Sequence, residues 1–421
     1  MKNTTLLILC LLANCYAGIV AQTQYRTETL QNNVRTLQIA VSGNRFALPV
    51  MELGGEGRFT ISFDELTANI KNYDYTIQHC NADWTPSDLS SSEWCSGFET
   101  NPVENVRSSI NTLMSYNHYS FSFPNENINF KLSGNYVVKI HEANQPETII
   151  ATACFSLVET KIGIEATVRG NTDVEINRRK QQVDFSLVAG NYLINNPAEL
   201  SVIVRQNNRT DNEVRKLEPT YISRDRLTYS NNKALIFDGG NEYRSIDFSS
   251  LYSYGMGITK IRYYEPYYHV ELDPATIVPR SAPYSLIDDV NGRFVINLQE
   301  SDDDDLTADY FLVHFSIPAD EPYFDGQLFI LGELNYNKLD NSVRMDYNTQ
   351  NKQFEQTVLL KQGGYNYLFV FRPEGSTAAS AERIENSYWQ TRNEYSIYVY
   401  HRPFGERYDR LIAVRTLQSG Q

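Results

Sequence analysis

The run YDYTIQHCNADWTPSDLSSSEWCSGFETNPVENVRSSINTLMSYNHYSFSFPNENINFKLSGNY, residues 73 to 136, decides how the chain is read. Tyr73, Tyr75 and Ile77 alternate with polar residues at period two, the pattern of a half-buried strand. Tyr119, Phe121 and Phe123 repeat the pattern until Pro124 stops it. The connection between these two strands has little periodicity and holds Trp84, Trp94, Cys80, Cys95 and Phe98. At roughly 35 residues it is long for a compact domain, so it is expected to be functional or packed down by its tryptophans and Phe98. The closing SGNY, Ser133 to Tyr136, runs into the apolar Val137, Val138 and Ile140. This is the setting of a tyrosine corner, in which a Tyr near a strand start bonds back to upstream backbone in a Greek-key sandwich.

Working outward, the composition agrees with an all-β chain. Twenty-nine tyrosines and 20 phenylalanines stand among 421 residues, with few long periodic segments rich in alanine or leucine. The length is more than one ordinary domain needs. A net charge of −14 disfavours nucleic acid and anionic membrane surfaces as partners.

The N-terminus reads as an export signal covering residues 1–21. Lys2 precedes the apolar Leu6–Ala13, and the small residues Ala17, Gly18 and Ala21 follow, so cleavage after Ala21 is expected to leave Gln22. The apolar stretch falls short of the ~20 residues a spanning helix needs. Lipidation at Cys15 is disfavoured by Asn14, which stands where a small residue is required. An outer-membrane barrel is a further alternative, weakened by irregular turn spacing and the polar ending TLQSGQ. Beyond the leader, Cys80, Cys95 and Cys154 allow one disulfide at most. A Cys80–Cys95 bridge would close a loop around the two tryptophans. Three free buried thiols are the other reading.

Alternating segments then divide the chain into three tandem immunoglobulin-like or early-set β-sandwich units. The first, residues 22–159, contains RTLQIAV, FTISF and the central run, and ends on ATACFSLVE. The second, 160–273, contains IGIEATVRG, DFSLVAG, LSVIVRQN and TKIRYYEPYYHVEL, the last divided by Pro266, where strand pairing is expected to break or reach an edge. Within it, NRTDNEVRK (208–216) reads as a solvated loop. Residues 274–307 form a connector with Pro274, Pro279 and Pro283 and the acidic run Asp302–Asp305. That run lacks the alternating ligands and turn glycine of a calcium hand, so a solvated acidic loop is expected. The third unit, 308–421, holds ADYFLVHFSI, GQLFILGELN, FEQTVLLKQGGYNYLFVF and YSIYVYHRPF. It resembles the early-set domains found as glycan-binding modules, and Tyr365 and Tyr367 after Gly363-Gly364 repeat the corner logic of SGNY.

Catalytic patterns are lacking. There is no G-x-S-x-G, H-E-x-x-H or G-x-x-x-x-G-K-[ST], and no Cys/His spacing for zinc. The six histidines are expected at unrelated strand positions. Asp64, Glu65 and Asp83 are carboxylates with no sign of convergence. No catalytic, cofactor-binding or metal residue is assigned, and no cofactor is implied. Tyr388-Trp389 is the one candidate stacking surface for a sugar, against a core reading for the same pair.

HCNADW (His79–Trp84), SSINT (Ser108–Thr112), the Y-x-H-Y of Tyr116–Tyr119, FPNEN, SGNY and SFDEL (Ser62–Leu66) together, in this order and spacing, resemble the plug protein of the type IX secretion system of Bacteroidetes-type bacteria. The resemblance extends over nearly the whole chain after the leader. It implies a non-enzymatic periplasmic protein that binds the periplasmic opening of the outer-membrane translocon barrel and prevents leakage, with no direct membrane insertion. The alternative from another class is an extracytoplasmic glycan-binding module protein.

Overall fold

The structure is a computed structural model and describes residues 24–420, so the leader read at 1–21 lies outside the described residues. The first sandwich follows the alternation of its strands. One sheet carries Tyr73–Cys80, Gly134–Glu142 and Ile149–Val158 side by side, with Glu28–Thr29 and Thr100–Pro102 at its edges. The facing sheet orders Val34–Val41, Phe59–Glu65, Asn117–Phe123 and Asn105–Ser108. The aromatic residues at alternate positions fill the core: Tyr75 stacks across the sheets on Phe121 at 4.1 Å, and Tyr136 stacks on its cross-strand neighbour Phe155 at 5.3 Å. The tyrosine corner is present, with the Tyr136 hydroxyl donating to the Leu132 carbonyl at 2.7 Å.

The long connection breaks into the short helix Ser91–Trp94 and strands of three or four residues, too short to show a period. Trp94 anchors it, buried beside Tyr136 with ring centres 5.6 Å apart. Phe98 does not help to hold it, being 67% exposed. The Cys80–Cys95 bridge is not formed. All three described cysteines are free and buried, because Cys95 packs into the main core while Cys80 joins Trp84, Val137 and Cys154 in a separate cluster.

The tandem order of the second and third units does not hold. Leu200–Gln206 pairs along its whole length with Glu394–His401, which pairs in turn with Arg410–Gln418. These C-terminal strands close the second sandwich against the sheet built on Gly163–Arg169 and Lys180–Val188. Tyr395, Ile397, Val399 and Ile412 share one core with Val202, Val204 and Phe185, and this shared burial decides the pairing. The third unit is therefore an insertion between the strands Ile236–Asp238 and Glu394–His401.

That insertion takes in the supposed connector and the end of the supposed second unit. Ile258–Tyr264 and Tyr267–Leu272 form a hairpin with Pro266 in its turn, and they pair into the third unit's nine-stranded sheet, where Ile258–Tyr264 is an edge strand. The sheet folds around Phe248, Phe311, Phe315, Phe329 and Phe369. Its own corner is Tyr365, whose hydroxyl donates to the Lys361 carbonyl at 2.6 Å. No helix among the described residues is long and apolar enough to cross a membrane.

Candidate functional site

Most motif residues of the first sandwich lie at its joints with the other two units, whereas FPNEN closes a turn within the sandwich, with Asn125 bonded to Ser122 and accepting from Asn127 and Ile128. His79 to Trp84 turns away from the end of Tyr73–Cys80, with Trp84 in the left-handed region at φ 68°. The turn meets the hairpin that joins the two C-terminal strands. There the Ala82 amide donates to Asp409 at 2.7 Å, Arg402 donates to the Asn81 side-chain oxygen at 2.6 Å, and Arg402 pairs with Asp409 at 2.9 Å. Asn135 of SGNY lies beneath, accepting from Ser156 at 2.7 Å and from Tyr400 at 2.9 Å. Gly134, at φ 133°, is where a side chain has no room: a Cβ would stand 2.7 Å from the His79 ring and 3.1 Å from the Asp409 carbonyl. His79 itself bonds Ser87 at 2.9 Å, and burial lowers its pKa to about 4, so the ring is neutral at pH 7.

A second joint ties the first sandwich to the inserted third unit. Asp64 of SFDEL and Lys361 are both 1% exposed at their side chains and pair at 2.6 Å. His118 bonds the other Asp64 oxygen at 2.7 Å, and Tyr310 donates to the pair from the third unit at 2.7 Å. Burial pushes the Asp64 pKa up, but Lys361 and His118 together outweigh it and hold the carboxyl below its ordinary value. Lys361 also lies 4.2 Å from the centre of the Tyr116 ring, and the Tyr116 hydroxyl donates to the Asp305 and Ala308 carbonyls. Next to SSINT, the Leu113 and Met114 amides donate to Asp309.

The acidic run belongs to this joint and is not a solvated loop. Asp303 pairs with Arg107 at 3.0 Å and Asp305 with Arg45 at 3.2 Å, both arginines lying on the first sandwich. The loop at 208–216 is likewise packed. Arg209 is 6% exposed, pairs with Asp211 at 2.7 Å and donates to the Ala379 carbonyl of the insertion.

The three carboxylates singled out from sequence do not form a reactive pair. Asp64 is committed to the joint, Glu65 pairs with Lys71 at 3.0 Å, and Asp83 caps its own turn by accepting from Thr85. The histidines not yet placed are also hydrogen-bonded at separate sites: His141 to Thr76, His269 to His314, and His401 to Tyr192. Tyr388 is 8% exposed, and Trp389 packs over Gly170, so this pair fills the seam between the second and third units. No group of three or more His, Cys, Asp or Glu among the described residues is arranged to hold a metal ion. Asp409, Arg402 and Lys361 escape a reading of motifs, since each acquires its partner only when distant strands are brought together.

Comparison with known proteins agrees with the motifs. Residues 34–159 match the family model described as the first domain of the type 9 secretion system plug protein. The crystal structure of a hypothetical protein from Parabacteroides merdae shares 42% identity over 94% of this chain and 100% of that one, with a TM-score of 0.92. An alkylpurine DNA glycosylase of Pseudomonas fluorescens, bound to DNA containing an abasic site analog, aligns over 30% of each chain at 11% identity, and its TM-score of 0.18 carries no argument. No curated protein matches. Residues 34–159 therefore carry the first domain of the type IX secretion system plug protein family, and this match supports a role related to that secretion system.

Proposed function

We propose that the protein is a non-enzymatic periplasmic plug that binds the periplasmic opening of the type IX outer-membrane translocon barrel and limits leakage through it. One observation carries the reading: HCNADW, SGNY, SFDEL and the Y-x-H-Y motif place residues at joints between sandwiches, where they tie the units together. Domains linked by ordinary interfaces move relative to one another, and a cover that hinges does not seal. Here a buried ion pair ties the first unit to the third. The hairpin at 402–409 ties the first to the second, and the second unit encloses the third by chain connectivity. The exposed Tyr221, Tyr252, Tyr254, Tyr263 and Tyr264 suit contact with a protein rim, where aromatic groups with a polar tip give adaptable contacts. Tyr388 is buried and Trp389 packs over Gly170, which weakens the stacking surface that favoured a glycan-binding role.

Affinity purification of the tagged protein from detergent-solubilised outer membranes tests the partner. Co-purification of one very large barrel protein is the expected result. Recovery of the tagged protein with no barrel contradicts the proposal.

A further inference from the structure

The three sandwiches leave a crevice of about 550 Å³ where they meet, within the range of small-molecule sites. Its walls come from all three units, with Trp84 and Arg26 from the first, Arg205, Arg215 and Tyr398 from the second, and Phe294, Asn337 and Lys338 from the third. Seven Arg and Lys side chains line the crevice against four carboxylates, and Arg45 and Arg293 find further carboxylates outside it, in Asp305 and Glu394.

Two of those carboxylates are each shared between two cations. Glu213 lies between Arg205, at 2.7 Å, and Arg215. Glu28 lies between Lys338, at 2.6 Å, and Arg26, at 3.1 Å, with Asp340 as a further partner of Lys338 at 3.2 Å. Around Glu213 the side chains of Arg205 and Glu213 are 9% and 11% exposed, and neither arginine has a second carboxylate within ion-pair distance among the described residues. A largely buried group with a net positive charge is costly unless an anion completes it. The crevice also holds an acceptor without a donor. The side-chain oxygen of Asn337 is buried and unpartnered among the described residues, in a residue 8% exposed. A simple carboxylate such as acetate would satisfy the arginines but leave Asn337 unpaired.

We infer that the crevice binds a small hydroxycarboxylate of sugar-acid size. Its carboxylate completes the Arg205–Glu213–Arg215 group, a hydroxyl donates to Asn337, and its carbon skeleton rests against the aromatic wall of Trp84 and Tyr398. Arginine forks suit a planar carboxylate. The hydroxyl requirement separates this ligand from a simple carboxylate such as acetate. This site is independent of the plug reading, since it faces the interior junction and uses residues outside the joints' motifs, Trp84 apart.

Titration calorimetry of the full chain with D-glucuronate tests it, with D-glucose, inorganic phosphate and a dipeptide acid as comparison ligands. Saturable binding of glucuronate, weakened by about tenfold or more in Arg215→Gln, is expected. Asn337→Ala is expected to bring glucuronate down to the level of a simple anion. Where Arg215→Gln alters the fold by circular dichroism, Asn337→Ala carries the test. The inference is overturned if glucuronate does not bind, if glucose binds as well, if phosphate or the dipeptide binds better, or if a folded variant retains full affinity.

Discussion

Tyr136 and Tyr365 each return a hydroxyl to the carbonyl four residues upstream, in different sandwiches. Replacing either by Phe removes one hydrogen bond and leaves the ring packing in place. Each substitution is expected to cost about 1 kcal/mol in chemical denaturation of the full chain, with unchanged circular dichroism. An unchanged denaturation midpoint contradicts the corner assignment. His79 sets a pH window. Its folded pKa of about 4 lies below the ordinary 6.5, so the unfolded chain takes up the proton more readily. Its contribution is complete above pH 6.5 and is lost as pH falls toward 4, amounting to roughly 3 kcal/mol. The burial of His314 and His401, also with lowered values, acts in the same direction. Asp64 acts in a lower window: its contribution is present above the unfolded value of 3.8 and lost as pH falls through its lowered folded value. Denaturation at a series of pH values is expected to show a flatter profile between 6.5 and 4 for His79→Gln than for the unmodified chain. The thiols give a separate check. Burial raises Cys80 to about 12, so it is inert when folded, and denaturation without reductant is expected to release three titratable thiols from the chain after leader removal. A single free thiol would mean a bridge.

Among the elements, most strands were legible because their alternation reflects one buried and one exposed face. Phe59–Glu65, Tyr73–Cys80 and Tyr310–Pro318 all keep that pattern in their burial. Pairing was not legible. Nothing in YSIYVY distinguishes a strand of the third unit from one that returns to Leu200–Gln206, nearly two hundred residues upstream, because alternation reports a face and not a neighbour. The same limit hid the joints: Asp64 reads as a stray carboxylate until folding brings Lys361 to it. Removing one member of a buried ion pair typically costs ~3–5 kcal/mol, because the other is left uncompensated. Lys361→Met is therefore expected to destabilise the chain by about that amount, and adding Asp64→Leu is expected to recover part of it. Additive losses in the double variant would show that the two side chains do not form a coupled joint.

At the scale of the whole molecule, the account rests on one rigid all-β body covering a pore. The family and its motifs were readable from residues 62 to 136, whereas the inserted topology and the crevice depend on contacts across all three units. The most direct measurement is uptake of a large antibiotic, normally excluded by the outer membrane, in cells lacking this protein and in cells lacking both it and the translocon barrel. The account predicts increased uptake in the single deletion and a return to the normal barrier in the double deletion, where no pore is left to cover. An intact barrier in the single deletion, or a leak that persists without the barrel, would contradict it.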